Sequence, residues 1–145
     1  SKLFWALIFS AFTLAILYAV GGWLGGVELP RPIWGQLVLL HLMVTLPFAL
    51  LGLTIGFLVK GNGAVAITNL IFLGLALLGG LWMPTAMFPG WFQTIGSYTP
   101  SYHAGQSALA LIGMGDGAGG HLSVLGIYTA IFAILALLAC GLQKR

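Results

Sequence analysis

From Leu3 to Val27 the sequence carries no charged side chain, and further long apolar stretches follow it. A segment of this kind has no polar face to offer water. In lipid its backbone N–H and C=O groups must pair within the segment, so it must become a helix. Only 5% of the 145 residues are charged and 60% are hydrophobic, against roughly 25% charged in a soluble domain. A soluble enzyme and a disordered chain are excluded on that ground. At about 20 residues per crossing the length admits four spans with loops but hardly six.

The net charge of +3 comes from five scattered cations that form no basic patch, so no nucleic-acid partner is expected. The first apolar run is too long for a signal peptide and has no small-residue cleavage site. It reads as a true span, and Ser1 in place of methionine leads us to expect that other parts of the protein precede it. Cys140 is the sole cysteine and reads as a small buried hydrophobe.

Charges and prolines divide the chain. Spans are expected at about 3–25, 33–59, 64–83 and 121–142, with Pro30 and Pro32 around Arg31 in the first connector and Lys60–Gly63 in the second turn. Pro47 falls inside span two, where a tilt or kink is expected. Residues 84–113 have a different texture. Pro89 suits the start of one short helix ending at Gly96, and Thr99–Pro100 form a cap and first-turn pair for another ending before Gly113. Each is too short to cross the hydrocarbon, so the predicted fold is all-α and polytopic, with a re-entrant or interfacial helical hairpin between spans three and four. Placing both ends inside puts Lys2, Lys60, Lys144 and Arg145 in the cytoplasm and leaves Arg31 alone among the cations outside. Trp23, Trp34, Trp82 and Trp91 then all fall at the outer interface, with Trp5 at the inner one.

The chemistry-bearing residues are sparse. Gly115, Gly117 and Gly120 match G-x-G-x-x-G but lack the strand–loop–helix setting of a dinucleotide site, and no P-loop motif occurs. Any ATP hydrolysis must therefore come from another protein. His41, His103 and His121 lack metal-ligand spacing; His41, within a span, is read first as a packed, hydrogen-bonded side chain. Ser101, His103 and Asp116 have the residue types of a hydrolytic triad without its G-x-S-x-G context. Thr45, Thr54, Thr68 and Asn69 read as interhelical glue, and Gly21/Gly25, Gly22/Gly26 and Gly52/Gly56 as close-packing pairs. No charge lies deep in a span, which argues against a proton pump, a voltage sensor or a channel built on charged rings. A hydrophobic or amphipathic substrate, moved with energy supplied elsewhere, fits better.

The order Ala66–Phe72, Gly79-Gly80-Leu81-Trp82-Met83-Pro84 and Phe88-Pro89-Gly90-Trp91-Phe92-Gln93, continued by Pro100-Ser101-Tyr102-His103 and Gln106–Leu109, resembles the ABC-2 type transporter permeases. The likeness covers about the last 80 residues well and the earlier spans in layout. It implies a permease subunit of an exporter, itself no enzyme, in the plasma (inner) membrane. A partner ABC ATPase subunit would bind ATP and Mg, and a second permease copy would complete a homo- or heterodimer. No cofactor is expected in this chain. Family members have six spans, an N-terminal interfacial helix and a coupling helix, so the chain corresponds to the C-terminal four spans of a six-span permease. Asn69, Pro84, Pro89, Gly90 and Pro100 are the family-like positions, expected as structural elements. Rival readings are a stand-alone four-span structural or assembly protein, and a membrane enzyme using His103 or His121.

Overall fold

The computed structural model describes residues 2–59, 61, 63–115 and 117–143, with the side chains of Lys2 and Gln143 left aside. The charged groups that orient the chain, Lys2, Lys60, Lys144 and Arg145, and also Asp116, thus lie outside the described side chains. Among the described residues there are six α-helices and no strand: α1 (Lys2–Trp23), α2 (Arg31–Leu58), α3 (Gly63–Leu78), α4 (Gly90–Gly96), α5 (Pro100–Leu111) and α6 (Ala118–Gln143). A 3-10 turn at Thr85–Met87 precedes α4.

Three of these helices, α1, α2 and α6, are long and apolar enough to cross a membrane. All three are apolar around their whole circumference, the pattern of a helix surrounded by lipid or protein rather than water. On α1 the large side chains of Phe4, Trp5, Phe9, Phe12 and Leu17 are mostly exposed, as a lipid-facing surface requires. Helix α2 is the hub. It packs most extensively against α6 and also touches α1, α3 and α5. Its buried residues Leu37, Leu40, Pro47, Thr54 and Ile55 form the core with Leu125, Ala136 and Ala139 of α6. The small alanines let the two backbones approach closely. Pro47 sits fully buried inside α2, where it removes one backbone donor from the helix.

The third apolar helix stops five residues before the expected Met83. The reason is local. The Gly80 N–H reaches the Leu77 carbonyl at 3.1 Å and the Leu81 N–H reaches that of Ala76 at 3.0 Å, while Gly80 adopts φ +74°. This is a Schellman closure, which needs a left-handed residue that glycine supplies without a Cβ clash. Pro84, the expected stop, instead begins the 3-10 turn. The result is a 16-residue helix about 24 Å long at 1.5 Å per residue, shorter than the ~30 Å hydrocarbon core.

The interhelical glue is also sparser than expected. Thr45 alone of the four polar residues reaches a neighbouring helix, with its Oγ1 2.7 Å from Ser10 Oγ on α1. Thr54 Oγ1 donates back to the Leu50 carbonyl of its own helix. Thr68 and Asn69 make no interhelical side-chain bond among the described residues.

Candidate functional site

Two short helices fill the space over the truncated end of α3. Thr99 caps α5, its Oγ1 accepting from the Tyr102 N–H at 3.3 Å while its hydroxyl donates to the Gly96 carbonyl. Pro100 follows at the first turn, where its missing N–H leaves no bond unmade. Ser101 is 1% exposed, and its hydroxyl donates to the Leu75 carbonyl, which also accepts from the Gly79 N–H at 2.8 Å. Gly96 approaches α3 so closely that an added Cβ would strike the Leu78 carbonyl oxygen. On the other side, the Tyr128 hydroxyl of α6 donates to the Tyr98 carbonyl at the α4–α5 junction. The hairpin is therefore fastened to α3 and to α6.

Beside this hairpin lies the polar seam of the bundle. Tyr18 Oη of α1 stands 2.8 Å from His41 Nδ1 of α2, and the same nitrogen is 2.8 Å from the Leu37 carbonyl. Trp34 stacks edge-on against Tyr18 with ring centres 5.3 Å apart. One turn below, Thr45 Oγ1 donates to the His41 carbonyl at 2.9 Å and sits against Ser10. Two clefts flank the seam. One, of about 460 Å³, is bounded by α1, α2, the turn after α3 and α5, with Tyr18, Trp34, His41 and Leu81 in its wall. The other, of about 450 Å³, lies between α1, α2 and α3 and includes Ser10, His41, Thr45 and Phe72. His41 is common to both. Volumes of this size hold small molecules, and the walls are apolar apart from the seam.

A second polar pair joins the hairpin to α6. The Nδ1 atoms of His103 and His121 are 2.8 Å apart, and Tyr102 meets both rings edge-on. One ring must donate and the other accept, so the bond survives one protonation of the pair but not two. Burial, and then the nearby His121, hold His103 below the ordinary histidine range, partly opposed by the Ser97 backbone. A histidine whose folded value is depressed contributes stability that is fully present above its unfolded value, about 6.5, and is lost as pH falls through the folded value. The unfolding midpoint should therefore drop between pH 7.5 and pH 5, and His103→Gln should flatten that drop. A pH profile unchanged by the substitution would exclude the pair as its source.

The sequence-predicted positions do not converge on one site. Asn69 is exposed on α3; Pro84, Pro89 and Gly90 lie on the exposed approach to α4; Pro100 is buried at the start of α5. Pro89 stands one residue earlier than a first-turn position, as the N-cap of α4. His103 and His121, separate in sequence, come together, whereas His41 stays apart with Tyr18. The hydrolytic reading fails at Ser101, whose hydroxyl is buried and held by a backbone carbonyl; Asp116 lies outside the described residues. No group of three His, Cys, Asp or Glu side chains that could hold a metal ion occurs among the described residues. Sequence reasoning missed Tyr18 and Ser10, because nothing in an apolar run marks which face meets a neighbour. It also missed the burial of Ser107 on α5, whose Oγ has no hydrogen-bond partner among the described residues. No local pattern in the sequence signals that.

Comparison with known proteins gives the arrangement a context. The chain is 31% identical over 129 residues to a Bacillus subtilis (strain 168) protein named as a transport permease, YvfS, an alignment that takes in 89% of this chain and 53% of that protein. The chain thus spans about half the length of this curated relative. No solved structure matches. Residues 1–138 match the family described as ABC-2 family transporter protein. With nearly the whole sequence inside that match, the chain belongs to the ABC-2 family of membrane transport permeases.

Proposed function

We propose that this chain forms the C-terminal four spans of the permease subunit of an ABC-type exporter, which moves a hydrophobic or amphipathic substrate across the plasma (inner) membrane. The observation that carries the reading is the family match over residues 1–138 in a sequence without a P-loop. The energy then comes from a partner ATPase that binds ATP and Mg, and a second permease copy completes the translocation unit. The permease itself performs no chemistry. Asn69, Pro84, Pro89, Gly90 and Pro100 act in it as structural elements, the three prolines standing at the starts of the 3-10 turn, α4 and α5.

The apolar clefts beside the Tyr18–His41 seam support a route for greasy cargo, and the absence of deep charges among the described spans argues against ions. The short α3 supports a re-entrant hairpin, because a helix end that falls short of the interface survives only when buried against protein. With α3 counted as a span, both ends of the chain are cytoplasmic.

The test is co-expression of the full-length permease with the ATPase encoded beside or fused to it. The two should copurify, and the complex in lipid vesicles should hydrolyse ATP. A purified permease that captures no ATPase would overturn this function in favour of a stand-alone four-span structural or assembly protein.

A further inference from the structure

Counting hydrogens at the Tyr18–His41 pair leaves one without a home. His41 Nδ1 lies 2.8 Å from both Tyr18 Oη and the Leu37 carbonyl, and one ring nitrogen cannot donate and accept at once. If Nδ1 carries the proton, it donates to the carbonyl, and the Tyr18 O–H has no acceptor among the described residues. If Nε2 carries it, Nδ1 accepts from Tyr18, and the Nε2–H has none. Neither tautomer satisfies both donors. The surroundings are the wall of the 460 Å³ cleft, where the other contributors include Leu17, Trp34, Leu81 and Ile112, and no Lys, Arg, Asp or Glu side chain among the described residues takes part. A donor left unpaired in an apolar setting is unfavourable, so an occupant bringing an acceptor oxygen gains from both the pairing and the burial of its apolar body.

We infer that this cleft binds an uncharged amphipathic molecule, with an apolar chain or ring lying along α1 and α5 and a carbonyl, ether or hydroxyl oxygen accepting from the Tyr18–His41 pair. This names the substrate class of the permease and rests on that reading. An anion fits less well, because its charge would be desolvated with no opposing charge among the described residues of the wall. The occupant also touches Gly80–Leu81 and α5, so it lies against the elements that hold the hairpin.

Tyr18→Phe isolates the claim. It keeps the ring that packs on Trp34 and His41, and it removes the surplus donor, because His41 Nδ1–H can then donate to Leu37 with nothing left over. The experiment uses the full-length permease in lipid nanodiscs without ATP, with a diazirine analogue of monolaurin as photolabel and peptide mapping of the adducts. Label should fall on α1 around Tyr18 and on α5 around Ala108. Monolaurin should compete better than laurate or dodecyltrimethylammonium. Tyr18→Phe should weaken competition by about two- to tenfold, the worth of one hydrogen bond, without lowering the unfolding temperature of the unliganded protein. Adducts elsewhere, equal competition by a charged amphipath, or undiminished affinity in Tyr18→Phe would each overturn the inference. ATP hydrolysis with the ATPase partner, measured on the same preparation, separates the two claims. A coupled complex that does not label sinks this site alone, and a labelled permease that captures no ATPase sinks the transporter reading.

Discussion

Gly96→Ala should destabilise the protein by a net of about 1 kcal/mol and loosen the hairpin from α3. The added Cβ would meet the Leu78 carbonyl oxygen, a backbone atom that no rotamer change can move aside. Leu78 is itself fixed, since the closure at Gly80 ties the end of α3 through the bonds from Gly80 to Leu77 and from Leu81 to Ala76. Either α4 or α3 must therefore shift, and the Ser101 bond to the Leu75 carbonyl is strained with it. Overpacking of this kind costs about 1–3 kcal/mol. It works against intrinsic propensity, which favours alanine over glycine inside a helix by about 1 kcal/mol. The sign is thus informative: a helix that cared only about propensity would be stabilised. Gly90→Ala is the control, at the other end of the same seven-residue helix, where an added Cβ meets nothing within 4 Å. Unfolding midpoints in detergent should fall by a few degrees for Gly96→Ala and hold or rise for Gly90→Ala. Equal midpoints would mean that α4 does not dock on α3 as described.

This contact shows where the sequence was informative and where it was silent. Helices α1, α2 and α6 were legible because uncharged apolar runs in lipid leave one backbone solution. The two short helices α4 and α5 were legible because Thr99, Pro100 and Gly113 carry their constraints locally. The end of α3 was misplaced because Pro84 is the more conspicuous breaker, although Gly79-Gly80 closes the helix first. Side-chain pairings were a different matter. Tyr18 and His41 are 23 positions apart, Ser10 and Thr45 are 35 apart, and His103 and His121 are 18 apart. Their meeting depends on helix rotation and register, which apolar periodicity fixes poorly when a helix is greasy on every side. His41 could be singled out as an ionisable group inside a span, but its partner could not.

Cysteine labelling should give an all-or-none result that separates a re-entrant hairpin from an ordinary crossing. The Tyr128 hydroxyl meets the Tyr98 carbonyl ten residues into α6, a depth of about 15 Å along that helix and roughly half of the hydrocarbon core. His103, further along α5, pairs with His121 near the start of α6. In the proposed re-entrant arrangement α5 rises from mid-depth back toward the end at which α6 begins, and α4 descends on the same side. In a background with Cys140 replaced by alanine, single cysteines at Leu24, Trp91 and Met114, all strongly exposed, should react with an impermeant maleimide in intact cells. A cysteine at Leu58, also exposed, should react only after permeabilisation. One at Tyr98, although 72% exposed in the isolated chain, should resist from both sides, because a maleimide needs the thiolate and hydrocarbon suppresses it. If residues 84–120 crossed once, Trp91 and Met114 would fall on opposite faces and only one of them would label in intact cells. That pattern would also place the C-terminus outside and overturn the proposed cytoplasmic ends.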